Sequence, residues 1–282
     1  MFYLLNVFLQ MKILQNNTIL KKTLKKIDNL GFVPTMGSIH DGHISLIKNS
    51  KKVCKKTIVS IFVNPTQFNS KKDFSSYPKN IKKDLSILRK NKVDYLYLPN
   101  VKDIYNYKRQ KKIKLIKKDL ILCAKYRKGH FEGVLDVMDR LTSLINPYKI
   151  FMGEKDFQQL YLVRKFLKNK YKNKTKTIIC KTIRNLDKVS LSSRNMLLTS
   201  RDLLLAGQIV KNLISFKRSL KNQSKIRYHL NLKKKELSRI YNIKIDYLDL
   251  RKTSDLTNSA NIDGSKIFIA YYLKDIRLID NL

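Results

Sequence analysis

Five short runs rich in β-branched and aromatic residues, at positions 31–35, 57–63, 95–98, 150–152 and 177–180, are separated by stretches in which apolar residues recur at helical spacing. Several of these runs lack polar alternation, so they are expected to be buried on both faces, as strands of a parallel sheet are. Helices are expected at 43–55, at 80–92, around Val134, Val137, Leu141, Leu144 and Ile145 up to Asn146-Pro147, and at 157–169. The pattern predicts an α/β fold, a Rossmann-like parallel sheet with helices on both faces. In such sheets ligands collect beyond the C-terminal ends of the strands.

After about residue 182 the character changes. Two lysine-rich amphipathic helices are expected over 200–221 and 224–241, with Thr199 or Ser200 as the N-cap of the first. Strands follow at 243–250 and 266–272, separated by the turn-rich stretch 261–265. The expected division is a first, Rossmann-like domain over 1–182 and a smaller α+β C-terminal domain over 183–282. The Lys/Asn-rich stretch 168–176 is expected to be a solvated turn.

Composition narrows the function classes. The chain carries 60 Lys and Arg against 21 Asp and Glu, a formal charge of +39, which by itself proposes a nucleic-acid partner. The lysines are dispersed, however, and no nucleic-acid-binding motif accompanies them. Abundant Lys, Asn, Ile, Tyr and Phe with 8 Gly, 5 Pro and no Trp is what codons rich in A and T produce. No specific nucleic-acid partner is therefore expected. No apolar run reaches the roughly 18 residues of a membrane span. Residues 1–10 are apolar but lack a basic start and a small-residue cleavage site, so they are read as an extension or a misassigned start rather than a signal peptide. A cytoplasmic protein is expected. Cys54, Cys123 and Cys180 are widely spaced and suggest neither a disulfide framework nor a zinc site.

The chemistry concentrates in four segments at or just after expected strand ends. Pro34-Thr35-Met36-Gly37-Ser38-Ile39-His40-Asp41-Gly42-His43 runs out of a strand and places two histidines three apart where a helix should begin. Residues at that spacing share a face, and a helix start offers unpaired N–H groups and the positive end of its dipole to an anion. The other three are Ser60-Ile61-Phe62-Val63-Asn64-Pro65-Thr66-Gln67-Phe68, Gly153-Glu154-Lys155-Asp156-Phe157-Gln158-Gln159-Leu160 and Leu191-Ser192-Ser193-Arg194-Asn195. Taken alone, each has an ordinary reading as a helix cap, a solvated turn or a loop.

Together and in this order, the four segments resemble the pantoate–β-alanine ligase family of the nucleotidyltransferase superfamily, from about Met11 to Arg277-Leu278-Ile279-Asp280-Asn281. His-x-Gly-His alone would indicate only the superfamily; the Phe62–Phe68 and Gly153–Gln159 segments are more specific. The resemblance implies an ATP-dependent condensation of pantoate with β-alanine through pantoyl adenylate, releasing pyrophosphate and AMP. It implies His43 as proton donor with His40 and Lys155 assisting, and an ATP site formed by Met36, Gly37, Ser38, Ile39, His40, Asp41, Gly42, His43, Gly153, Glu154, Lys155, Asp156, Ile183, Leu191, Ser192, Ser193 and Arg194. Gln67 and Gln159 match the glutamines that hold pantoate, with Asn64 and Tyr77 nearby, and β-alanine joins at the same site. Mg²⁺ is expected with ATP, without assigned protein ligands, and a homodimer is implied.

Three departures stand out. Lys128 replaces a proline in a segment otherwise matched by Arg127, Gly129 and His130; Cys123-Ala124 stands where the family has Glu-Gly; Lys188 replaces a glycine. If the backbone at 188 needs positive φ, the lysine is strained there. Two rival readings remain open: an adenylate-forming enzyme for another carboxylic acid, and a basic nucleic-acid-binding protein or inactive remnant.

Overall fold

The computed structural model describes residues 11–107, 112–172, 174–222 and 224–282, so the expectation about residues 1–10 lies outside the described residues. Six strands, β1 (Lys12–Leu14), β2 (Leu30–Thr35), β3 (Lys56–Ile61), β4 (Tyr95–Tyr97), β5 (Lys149–Gly153) and β6 (Lys176–Cys180), form one parallel sheet in the order β1-β4-β3-β2-β5-β6. The helices among them are α1 (Asn17–Leu24), α2 (Asp41–Val53), α3 (Lys71–Ser75), α4 (Ile81–Lys90), α5 (Val101–Ile104), α6 (Cys123–Tyr126), α7 (His130–Ile145) and α8 (Phe157–Tyr171).

Neighbouring residues of one strand feed opposite layers, which is why the runs show no polar alternation. Phe32, Ile58, Tyr97 and Ile150 pack with Leu20 of α1, Val134 of α7 and Leu160 of α8. Val33, Val59, Leu96 and Phe151 pack with Leu46 and Ile47 of α2 and Leu88 of α4. Burying each such side chain is worth roughly 1.5–3 kcal/mol. The expected strands and main helices are all present, with shifted ends: α2 begins at Asp41 because His40 itself caps it, and α8 continues to Tyr171, into the stretch expected to be turn.

The connection order places the site. From β2 the chain steps outward to β3 and β4, then returns to the other side of β2 with β5, so β2 and β5 flank the switch point where such sheets open a crevice. Their pairing ends at Phe32 opposite Ile150. Beyond it lies Pro34, which has no N–H and adds no rung.

In the C-terminal part, α9 (Ser200–Ser219) and α10 (Ile226–Tyr241) accompany an antiparallel sheet of β7 (Lys244–Lys252), β8 (Ser265–Leu273) and β9 (Ile276–Asn281). Thr199 caps α9. The sequence pattern predicts two strands here, and three form. Ile267, Ile269 and Tyr271 of β8 face a cluster with Ala206 and Leu213 of α9 and Leu237 of α10, whereas Phe268 and Ala270 join the layer of α7 and α8. The small sheet is thus packed on both faces, and β9 is carried to the edge of the crevice.

Candidate active site

At the end of β2 the backbone turns through Gly37 (φ +82) and Ser38 (φ +53). This turn aims two N–H groups at a carboxylate: Ser38 and Ile39 donate to Asp84 of α4 at 2.8 and 2.7 Å. A Cβ on Gly37 would sit 3.0 Å from Asp84 Oδ2, so glycine serves both the positive φ and the close approach. These two amides are committed to a buried side chain rather than open to an incoming phosphate. Asp84 has no local sequence signal as a site residue.

The two histidines are fixed by reciprocal capping. His40 Nδ1 accepts the N–H of Gly42 at 3.1 Å, and His43 Nδ1 accepts the N–H of His40 at 3.4 Å. With Nδ1 an acceptor in each ring, the neutral tautomer carries its proton on Nε2. The ring centroids are 4.1 Å apart. Burial, then Lys155, lowers the His40 pKa to about 4; burial, then His40, lowers that of His43 to about 3. Both are neutral at pH 7, presenting Nε2–H groups as donors.

Beyond β3, Asn64 organises the next wall. Its Oδ1 accepts from Tyr105 Oη at 2.7 Å and Thr66 Oγ1 at 3.0 Å, and its Nδ2 donates to Gly133 O and Gln67 Oε1, both at 3.2 Å. Gln67 Nε2 points to Met36 Sδ at 2.8 Å. α7 comes this close because position 133 is glycine, where a Cβ would lie 2.3 Å from Thr66 O. Below it, His130 Nδ1 donates to Gln67 O at 2.7 Å. Arg127 Nη1, which can only donate, meets His130 Nε2 at 3.0 Å and so fixes that tautomer. Burial, then Arg127, lowers the His130 pKa to about 3.

β5 ends in the Gly153-Glu154-Lys155-Asp156 loop, and Lys155 Nζ is 3.4 Å from Asp156 Oδ1. Burial alone would raise the Asp156 pKa, but Lys155, with help from Arg194, holds it below the usual value. The loop is tied down from far along the chain: Asn281 Nδ2 of β9 donates to Glu154 O at 3.0 Å and Lys155 O at 2.8 Å, while Asp280 takes a bidentate pair from Arg184 at 2.7 and 2.9 Å. Of the two adjacent glutamines, Gln158 is engaged by the Ile121 carbonyl at 2.7 Å, and half-buried Gln159 faces the cleft.

The last wall comes from the loop after the Arg184–Ser190 bridge. Ser193 Oγ donates to Ser38 O at 3.2 Å, and Arg194 Nη2 reaches both oxygens of Asp73 in α3 at 2.9 and 3.1 Å. Lys188 has φ +70, so the glycine departure does carry a left-handed residue with a Cβ.

These walls enclose a cavity of about 780 Å³. Met36, His40, Gly42, His43, Gln67, Gly153, Lys155, Asp156, Gln159, Ile183, Leu191, Ser192, Ser193 and Arg194 all line it, as do Asn64 and Tyr77. Gly37, Ser38, Ile39, Asp41 and Glu154 do not. Sequence reasoning missed Asp73, which lines the cavity, and Asp84, behind it; it met Asn281 only as the end of a matching stretch. Among the described residues no three His, Cys, Asp or Glu side chains gather as a metal site, and no helix is long and apolar enough to cross a membrane.

Residues 7–282 match the model of a family described as pantoate-beta-alanine ligase. The chain belongs to that family. Within the pantoate-beta-alanine ligases it is similar to the pantothenate synthetase of Francisella tularensis subsp. novicida strain U112, 37% identical over 276 residues, covering 93% of this chain and 92% of the relative. That of Leptospira biflexa serovar Patoc is 38% identical over 271 residues, covering 94% of each. Among solved structures, pantothenate synthetase from Thermus thermophilus superposes with a TM-score of 0.89 at 28% identity, covering 96% of this chain and 99% of its own. Pantoate-beta-alanine ligase from Francisella tularensis, complexed with beta-gamma ATP and beta-alanine, superposes at 0.82 with 36% identity, covering 96% and 97%.

Proposed function

We propose that this enzyme condenses pantoate with β-alanine to pantothenate using ATP, by way of pantoyl adenylate. The observation that carries the reading is the convergence, in one cavity at the switch point, of phosphate-binding groups (His40, His43, Lys155, Ser192, Ser193, Arg194) with two amides, Gln67 and Gln159. In the first step the pantoate carboxylate attacks the α-phosphate and pyrophosphate leaves; in the second the amine of β-alanine attacks the acyl carbon and AMP leaves. Neither step needs a protein nucleophile. Both need the reactants aligned and the developing charge stabilised.

His40 and His43 donate Nε2–H to the α-phosphate and the bridging oxygen. A neutral His43 acts as a hydrogen-bond donor; an approaching triphosphate raises its pKa, as the proton-donor role requires. Lys155 supplies a point charge. Arg194 exchanges Asp73 for phosphate oxygens, for which its planar fork is suited. Gln67 and Gln159, able to donate and accept at once, hold the hydroxyls and carboxylate of pantoate. Of the carboxylates near the phosphates, Asp84 is held by two amides and Asp156 by Lys155, while Asp73 is released as Arg194 turns to phosphate. Mg²⁺ would come with ATP, held mainly by phosphates and water, and would neutralise charge on the phosphates.

Residues 1–182 form the nucleotide- and pantoate-binding domain in this reading, and residues 183–282 the lid. The enzyme works in the cytoplasm as a homodimer. The test is AMP release by the purified chain with pantoate and β-alanine supplied together or singly. Release with both, and none when either is withheld, is expected; equal release with an unrelated carboxylic acid would overturn the reading.

A further inference from the structure

A second cavity, of about 600 Å³, adjoins the first. It shares Lys181, Thr182 and Asn281 with the catalytic cleft but takes Glu154 in place of Lys155 and Asp156, so the backbone of the β5 loop lies between the two. Six of its twelve lining residues are Lys or Arg, against 60 of 282 in the chain, more than twice the average density. Most of the 60 Lys and Arg lie elsewhere, but this cavity is locally enriched in them.

The six cations differ in what they already hold. Arg184 is bound to Asp280, Lys266 is 3.3 Å from Glu154, and Lys217 donates to the Leu282 carbonyl at 2.9 Å. Lys181, Arg218 and Lys221 are exposed, and none has a side-chain partner among the described residues. Burial, and after it the charge of neighbouring Lys266, lowers the Lys217 pKa. Ile214 and Ile262 add an apolar surface to the same cavity.

We propose that this cavity is a second anion site, which takes a small ligand carrying two or more linked phosphates. A single carboxylate would satisfy one of the three unpartnered cations; linked phosphates offer several oxygens to each. The volume is that of a small-molecule pocket, and the two isoleucines provide a contact for an organic group attached to the phosphates. A nucleic-acid backbone would call for a long stripe of cations rather than a pit. Because Glu154 pairs with Lys266 and Asn281 holds the carbonyls of Glu154 and Lys155, a bound polyphosphate touches the rear of the loop that presents Lys155 to ATP.

Inorganic tripolyphosphate is the probe, titrated against the full chain by calorimetry at about 150 mM salt, where loosely screened surface charge no longer holds it. Arg218→Gln combined with Lys221→Gln should weaken this binding by on the order of tenfold per side chain, with pantoate-dependent AMP release unchanged when the probe is omitted. The control removes the same charge elsewhere, from the exposed Lys82 and Lys90 of α4, and should leave binding as it was. Equal weakening by both pairs would assign the probe to dispersed charge, and no weakening by either would confine it to the catalytic cleft. Either result, or absence of binding at this salt, overturns the proposal.

Discussion

The two sides of the cleft are held by different kinds of contact. On the sheet side, Asp84, Asn64, His40, His43 and His130 sit in a dense set of hydrogen bonds of 2.7–3.4 Å, and Asn64 is 1% exposed. Leaving one such buried group unpaired costs about 1–3 kcal/mol. On the C-terminal side, ion pairs cross the cleft: α3 offers Lys72 and Asp73, and the C-terminal part answers with Asp275 at 3.5 Å and Arg194 at 2.9 Å. Lys72 and Asp275 are 85% and 91% exposed, and pairs of that kind are worth about 0–1 kcal/mol. One wall is built to keep its geometry and the other to exchange partners. In the proposed mechanism the first would align the reacting groups and the second would admit the triphosphate.

The largest expected effect is that of acid on the sheet side. The folded pKa values of His40, His43 and His130 are lowered to about 4, 3 and 3, against about 6.5 when unfolded. The unfolded chain therefore binds more protons between these limits, and stability that is whole above pH 6.5 falls as pH drops toward 4, by up to about 1.4 kcal/mol per pH unit for each histidine. Urea midpoints measured at pH 7.5, 5.5 and 4.5 should fall steeply, and less so in His43→Gln. A flat profile would mean that these rings take up protons in the fold as readily as in the unfolded chain.

Next comes His43→Ala, which should lower kcat by about 10²–10³ with a folded protein, as removal of a transition-state donor does. Near-normal turnover would break the comparison at its centre. Gln67→Ala and Gln159→Ala should each raise the pantoate KM by roughly 10- to 100-fold, the equivalent of about 1.5–3 kcal/mol for a hydrogen bond to a charged group, with the ATP KM little changed. Collapse of ATP affinity instead would place the amides on the wrong substrate. Arg194→Ala should raise the ATP KM about tenfold through loss of charge-assisted bonds, leaving urea stability nearly untouched because its partner Asp73 is part-exposed. If it lowered kcat alone, the division between walls would fail. The smallest effect belongs to Lys188→Gly. Relief at φ +70 is partly offset by the greater freedom of glycine when unfolded, so a gain of about 0.5–1 kcal/mol in urea melts is expected.

The parallel sheet was legible because burial on both faces erases polar alternation, as Phe32 and Val33 show by packing into opposite layers. β9 was not. Its hairpin turns on Lys274-Asp275, with Lys274 at φ +52, and lacks the Asn or Gly that normally marks such turns. β1, three residues long, is too short for a period to show. In the site, the legible residues were those clustered within single segments. Asp84 meets Ser38 across 46 residues and Arg194 meets Asp73 across 121, and no local pattern records such pairings. That is also why the amides of Ser38 and Ile39 read as free for phosphate, when a helix from elsewhere in the chain already supplies their acceptor.

Asn281 holds a loop that precedes it by 127 residues, and this has a consequence in time. A ribosome adding about 5–20 residues per second finishes the Gly153-Asp156 loop roughly 6–25 s before it reaches the residue that fixes the loop in place. During that interval the parallel sheet can already be assembled around His40 and His43, yet the Glu154 and Lys155 carbonyls lack the amide that ties them down. In the proposed mechanism the nascent chain therefore folds its large sheet early and completes the site that forms the adenylate only with β9.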